Sequence, residues 1–179
     1  MAQAQTPTPL DRALIEEAAK KSGLLWVRGE DAGPAVGLWY LWIDGAVCLV
    51  GGPGEQPLRG LTDGGTAVVT LRSKDKGGRL VAFPARVAEL APHSDSWQAA
   101  VGELKGKRLN APDFADMPER WARTCRVLRL TPDGAPVESP TVIPTGSGAA
   151  APPPTPATTR HPIPRSLPRL LLRRRRAED

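Results

Sequence analysis

The residues best suited to chemistry lie in one glycine-rich, basic segment in the first half of the chain. The glycines of residues 51–54 follow an apolar run and allow close backbone approach and unusual φ values. Donor side chains come directly after them and again at the tip of the next predicted hairpin: Gln56, Arg59, Arg72, Lys74 and Lys76. Guanidinium groups and free loop N–H groups suit a phosphate. This segment therefore predicts an anion-binding loop.

Each of these features has a structural alternative. The glycines are also typical turn residues, and lysines at a hairpin tip are usually solvated. Tyr40 and Trp42 share one face of a predicted strand, where they either line a flat ring or belong to the core. Arg72 ends an alternating strand, so its charge needs a partner, which is either a carboxylate such as Glu55 or a bound anion.

Motifs for hydrolysis and phosphoryl transfer are missing from the sequence. It contains no Ser-His-Asp, HExxH, Walker A or paired-carboxylate pattern, and we assign no catalytic residue. His93 and His161 have no partner at ligand spacing, so we expect no metal site. Cys48 and Cys125 lack CxxC spacing. We expect two reduced, buried thiols, with a disulfide or redox pair as the alternative.

Closely spaced strands must position the loop. Asp44-Gly45 is a two-residue hairpin signal between two apolar runs, and a second hairpin covers residues 66–90. We count six strands and three small helices, the first of which starts with the capping-box pattern of residues 8–11. The strands leave little room for helices between them. This predicts a mainly β domain with an antiparallel barrel or sandwich rather than a parallel sheet.

The predicted strand Val36–Ile43 is apolar on both faces. Residues 36, 38, 40 and 42 form one face, and residues 39, 41 and 43 form the other. A strand with one face in water alternates with polar residues, so this one is covered twice. We prefer homodimerisation through this sheet, with cover by the helices of the same chain as the alternative.

Composition separates a C-terminal segment from the rest of the chain. Residues 140–179 hold nine of the 20 prolines, and seven of the chain's 24 basic residues against two of its 19 acidic ones. Residues 1–139 therefore balance, with 17 of each sign. We expect a flexible N-terminus (1–9), a folded domain (10–134) and a disordered tail (135–179). No signal peptide or membrane span is visible, which predicts a cytoplasmic protein.

The sequence resembles the pyridoxamine 5′-phosphate oxidase-like family of split β-barrels over about residues 10–131. The resemblance lies in LWYLWIDGAVCLVGG, in GEQPLRGL and in VVTLRSKDKGGRLVAFPARV. It implies a six-stranded antiparallel split barrel that binds flavin mononucleotide (FMN) or the related deazaflavin. It implies that Tyr40, Leu41, Trp42, Val50 and Gly51 lie near the flavin ring. With the donors Gln56, Arg59, Arg72 and Lys74, these are the candidate cofactor-binding residues.

The same resemblance shows where this chain departs from the family. Leu61 matches the leucine that anchors the phosphate loop, and Arg59 matches a position that is often basic. Glu55 stands where the family often has serine, and Gln56 and Pro57 replace basic residues. An acid beside a phosphate is unfavourable, so either Arg59 and Arg72 compensate or flavin binding is lost or altered.

Two functions follow from these observations. The first is a flavin-dependent oxidoreductase with an unknown small-molecule substrate, in which the flavin carries hydride transfer and the protein orients the reactants. The second is a degenerate, non-catalytic dimeric split barrel that acts as a binding module, which Glu55 and Pro57 favour. For the arginine-rich tail we expect solvation rather than contact with nucleic acid or an anionic membrane.

Overall fold

In a computed structural model of the chain, which describes residues 7–31, 33–75, 77–143 and 146, helices flank one curled sheet. The elements in chain order are α1 (Pro9–Lys21), β1 (Leu25–Arg28), β2 (Val36–Leu38), β3 (Leu41–Ile43), β4 (Ala46–Gly51), β5 (Thr66–Arg72), β6 (Arg79–Glu89), α2 (Asp95–Lys107), α3 (Met117–Thr124) and β7 (Arg126–Pro132). The strand order is β2-β1-β5-β6-β7-β4-β3, and all paired strands are antiparallel. The predicted mainly β split barrel is confirmed.

The strand count differs from the prediction, with seven strands in the described residues instead of six. The predicted strand Val36–Ile43 is divided into β2 and β3 by the residues Trp39 and Tyr40. The Gln56 side chain forms hydrogen bonds with both backbone groups of Trp39. The Trp39 N–H donates to Gln56 Oε1 (2.9 Å), and Gln56 Nε2 donates to the Trp39 carbonyl (2.8 Å). These backbone groups therefore have a side-chain partner in place of a neighbouring strand.

The tight turn between β3 and β4 is confirmed. Asp44 and Gly45 have φ values of 46° and 76°. Positive φ at both central residues is the condition for the hairpin turn that matches the twist of the strands. The turn sets the register of the hairpin, in which Leu41 faces Cys48.

Two hydrophobic cores use the two faces of the sheet. The first lies inside the curl and includes Leu38, Tyr40, Phe83 and the buried face of α1. The second lies between the sheet and the helices α2 and α3, around Trp97 and Trp121. The predicted faces of residues 36–43 are confirmed, because even positions pack on the first core and odd positions on the second.

The cover over the odd-numbered face comes from the same chain. Trp39, Leu41 and Ile43 pack against the second core cluster, to which α2 and α3 contribute. All three side chains stay half-buried. The helices therefore provide the cover that we regarded as the alternative, while the partial exposure leaves dimerisation a prediction.

Local signals set the helix ends. Thr8 and Asp11 form the predicted capping box, and the Ser94 side chain caps α2. The sheet bulge lies between Leu71 and Arg72, beside the second hairpin tip. Among the described residues no helix is long and apolar enough to cross a membrane.

The chain continues along the sheet past the predicted boundary at residue 134. Val137 and Glu138 donate backbone N–H groups to the Ala82 carbonyl, and Ala82 donates to the Glu138 carbonyl. Arg79 pairs with the Glu138 carboxylate at 3.1 Å. The predictions for residues 1–6 and for the arginine-rich segment lie outside the described residues.

Candidate functional site

The predicted anion-binding loop folds onto itself at its first glycine. A Cβ atom on Gly51 would lie 2.4 Å from the Gln56 carbonyl oxygen and 2.4 Å from the Leu58 Cγ. Glycine is therefore required here by the loop's own packing. Gly54 follows with φ of 77°, a value that disfavours a side chain.

The carboxylate of Glu55 is the charged centre of this loop. Its side chain is 0% exposed. Oε1 accepts hydrogen bonds from Arg120 Nη2 and Trp121 Nε1, both at 3.0 Å, and Oε2 accepts one from Arg108 Nε at 2.9 Å. A buried carboxylate with two guanidinium partners and an indole donor is compensated in charge and in hydrogen bonding.

The partners of Glu55 form part of a longer network. Arg120 also binds Asp113, with 2.6 Å between Arg120 Nε and Asp113 Oδ2. The Arg120 hydrogen bond lowers the pKa of Asp113, and the two carboxylates raise the pKa of Arg120. Arg120 donates to the Pro53 carbonyl and Arg108 to the Gly54 carbonyl. The network therefore ties the loop to α3 and to the end of α2.

Arg72 lies beside an aromatic ring rather than beside an acidic side chain. Its guanidinium carbon lies 5.0 Å from the centre of the Trp26 ring. Its Nε atom is buried without a hydrogen-bond acceptor, and in the described part of the chain it has no ion-pair partner. The sequence predicts either a carboxylate such as Glu55 or a bound anion as the partner of Arg72. Glu55 pairs with Arg108 and Arg120 instead.

The basic residues of the predicted site are not brought together. Arg72 lies near the start of β1, because its neighbour Leu71 pairs with Leu25. Arg59 lies beyond the end of β1, because its neighbour Gly60 accepts a hydrogen bond from the Glu30 N–H. Leu25 and Glu30 are five residues apart, or about 17 Å of extended chain. Arg59 and Lys74 are exposed.

The residues predicted to contact the flavin ring lie in two different hydrophobic cores. Tyr40 is 8% exposed, and its hydroxyl donates to the Ala19 carbonyl at 2.6 Å. Val50 is fully buried in the second core, on which Leu41 packs. Trp42 lines a cavity of about 370 Å³ beside α1. The side chains of Tyr40, Val50 and Gln56 therefore have structural contacts of their own.

Sequence reasoning missed four residues of this region: Trp26, Arg108, Arg120 and Trp121. The alternation of β1, with Leu25 and Val27 buried and Trp26 36% exposed, carried a signal for an outward-facing tryptophan. The pairing of Glu55 with Arg108 and Arg120 spans more than fifty residues of chain. No local pattern marks such a pair.

Comparison with known proteins finds similarity in structure. No protein-family model matches the sequence, and no curated protein matches it. HutZ, the heme storage protein from Vibrio cholerae, is similar with a TM-score of 0.51 and 12% identity, over 68% of this chain and 89% of that one.

Two further solved structures show a weaker similarity. An FAD-binding protein from Mesorhizobium loti has a TM-score of 0.42 and 12% identity, over 75% of this chain and 96% of that one. A candidate pyridoxamine 5′-phosphate oxidase from Corynebacterium glutamicum has a TM-score of 0.41 and 11% identity, over 76% and 93%. At 12% identity the similarity to HutZ concerns the fold alone. The chain is a split β-barrel, the fold of the pyridoxamine 5′-phosphate oxidase-like family that its sequence resembles.

Proposed function

We propose that this chain binds a flavin nucleotide, either FMN or the deazaflavin, and that Arg72 and Trp26 form the centre of that site. The split barrel and the sequence resemblance support a flavin as the ligand. The bound flavin supplies hydride transfer, which makes an oxidoreductase the proposed activity, with an unknown small molecule as substrate. The residues of the chain orient and bind the ligand.

The observation that carries this proposal is the buried Nε atom of Arg72, which has no hydrogen-bond acceptor among residues 7–31, 33–75, 77–143 and 146. An unsatisfied buried donor costs about 1 to 3 kcal/mol, and more when the group is charged. A phosphate or another anionic group of the ligand beside the guanidinium would balance its charge, which has no ion-pair partner among the described residues. Lys74, two residues further along and exposed, adds a second positive charge at this end of the sheet.

Trp26 gives the proposed site an aromatic surface. Its indole is partly exposed and contacts Arg72 on one side. Gly37 lies opposite Trp26 in the neighbouring strand, and a Cβ atom there would be 3.6 Å from the ring. Aromatic rings of ligands stack on such surfaces.

A second function is favoured by Glu55 and Gln56. The loop positions that the family resemblance gives to the cofactor phosphate are engaged within the protein, by Arg108 and Arg120 and by the backbone of Trp39. A split barrel in which this loop has become structural acts as a non-catalytic, dimeric binding module. Flavin binding separates the two functions.

Flavin titration with matched variants tests the proposal. We expect FMN or the deazaflavin to bind the full chain, with quenching of cofactor fluorescence, and Arg72→Gln to weaken binding by about tenfold or more. Arg123→Gln serves as the control, because Arg123 is an exposed cation on α3. Equal affinity of the Arg72→Gln and Arg123→Gln variants would remove Arg72 from the site, and absence of binding by either flavin would favour the binding module.

A further inference from the structure

A cavity of about 370 Å³ lies between the start of α1, the turn joining β3 and β4, and the end of β7. Pockets that bind small molecules generally have about 300 to 1,000 Å³. Its volume therefore suits a ligand of one or two rings.

The geometry points to a binding site for a small planar aromatic anion in this cavity, separate from the proposed flavin site. The ligand's ring would lie on the Trp42 indole, and its carboxylate would bind the Arg12 guanidinium. The inference concerns a second ligand and does not depend on flavin binding.

The walls of the cavity explain the preference for a planar ring. Trp42 is half-buried and lines the cavity, as do Ile15, which is 1% exposed, and Pro132. Aromatic faces and aliphatic walls favour flat apolar groups. The turn between β3 and β4 leaves its side of the cavity open. Gly45 has no side chain, and no atom lies within 4 Å of the position that its Cβ would occupy.

The charges at the cavity explain the preference for an anion. Arg12 is exposed, and its guanidinium has no hydrogen-bond or ion-pair partner among the residues that the structure describes. The acidic residue on the lining, Glu16, is paired with Lys20 one turn further along α1. The unpaired charge at the cavity is therefore positive, and a guanidinium binds a carboxylate through two parallel hydrogen bonds.

The test compares two probes of the same shape, 2-naphthoate and its uncharged amide, by calorimetric titration of the full chain. We expect the carboxylate to bind about tenfold more tightly than the amide and Arg12→Gln to abolish that difference. Arg123→Gln is the control, since Arg123 is an exposed arginine outside the cavity lining. The Arg12 side chain forms no hydrogen bond or ion pair with the residues that the structure describes, so this variant is expected to fold.

Three results of the calorimetric titration would overturn the inference. They are no binding of either probe, equal affinity for the acid and the amide, and equal effects of Arg12→Gln and Arg123→Gln. A perturbed Trp42 indole N–H resonance on addition of 2-naphthoate would support the ring position, and an unperturbed one would contradict it. Displacement of 2-naphthoate by FMN would show that the cavity belongs to the flavin site, which also contradicts the inference.

Discussion

At the scale of single residues, Glu55 shows how an unfavourable acid becomes structural. Its position in the loop is visible in the sequence as a departure from the family that the chain resembles. Its partners Arg108 and Arg120 are not visible there, because they come from distant segments that only the folded chain brings together. Glu55 therefore does not repel an anion bound at Arg72, because Glu55 pairs with other arginines and Arg72 lies beside Trp26.

Replacing Glu55 with glutamine tests this network. Glu55→Gln removes the carboxylate partner of Arg108 and leaves Arg120 with Asp113 alone, so we expect a loss of about 2 to 3 kcal/mol in the free energy of unfolding, measured with urea. Glu119→Gln is the control, because Glu119 is exposed on α3. Similar stability of the two variants would show that the buried pairs contribute nothing net.

Tyr40 predicts a loss of stability at alkaline pH. Burial raises its pKa to about 12. The unfolded chain loses this proton near pH 10, before the folded chain does, so the stabilisation is complete below pH 10 and is lost as the pH rises toward 12, by about 3 kcal/mol in total. Since Tyr40 is the single tyrosine of the chain, tyrosinate absorbance reports it alone.

The alkaline titration has a clear contrary result. A folded protein whose tyrosinate absorbance rises with a midpoint near pH 10 would show that Tyr40 is not buried as described. Tyr40→Phe gives the matched control for stability. In that variant the decline in the free energy of unfolding between pH 10 and 12 should become smaller.

At the scale of elements, residues 36–43 show what periodicity predicts and what it does not. Alternation assigned the correct residues to the two faces, because side chains of extended backbone alternate whether or not the strand is continuous. The break at Trp39 depends on a side chain seventeen residues away, Gln56, which replaces a neighbouring strand as hydrogen-bond partner. Such a partner has no signal in the local pattern.

The break between β2 and β3 predicts the effect of a small change at Gln56. Gln56→Glu retains the acceptor for the Trp39 N–H but places a carboxylate oxygen against the Trp39 carbonyl, so we expect a loss of about 1 to 3 kcal/mol in unfolding free energy. Gln98→Glu is the matched control, because the Gln98 amide also donates to a backbone carbonyl but is exposed. Hydrogen exchange of the Trp39 amide should accelerate in the Gln56 variant and remain unchanged in the control.

At the scale of the whole molecule, the fold was predictable and the site was only partly so. Hairpin signals, alternation and the capping box depend on neighbouring residues, and these predictions are confirmed by β3, β4 and α1. The site depends on contacts across the sheet. The sequence therefore identified Arg72 as a charge in need of a partner, but it did not identify Trp26 as the aromatic group beside it.

Assembly is the prediction at this scale that the structure leaves to experiment. The half-buried odd-numbered face of residues 39–43 leads us to expect a dimer, with a mass in light scattering of twice the 19.1 kDa of one chain. Ile43→Lys, which places a charge on that face, should give the mass of one chain. Val142→Lys is the control, since Val142 is 67% exposed and lies outside that face. A single-chain mass for the unmodified protein over a wide concentration range would exclude the dimer.

The central claim, that this split barrel binds a flavin, is tested most directly by the absorbance spectrum of the freshly purified full chain, followed by titration with FMN and with the deazaflavin. The account predicts flavin or deazaflavin bands in the purified protein, or their appearance with a shifted maximum as the cofactor is added. A colourless protein whose spectrum with either cofactor equals the sum of the separate components would contradict it.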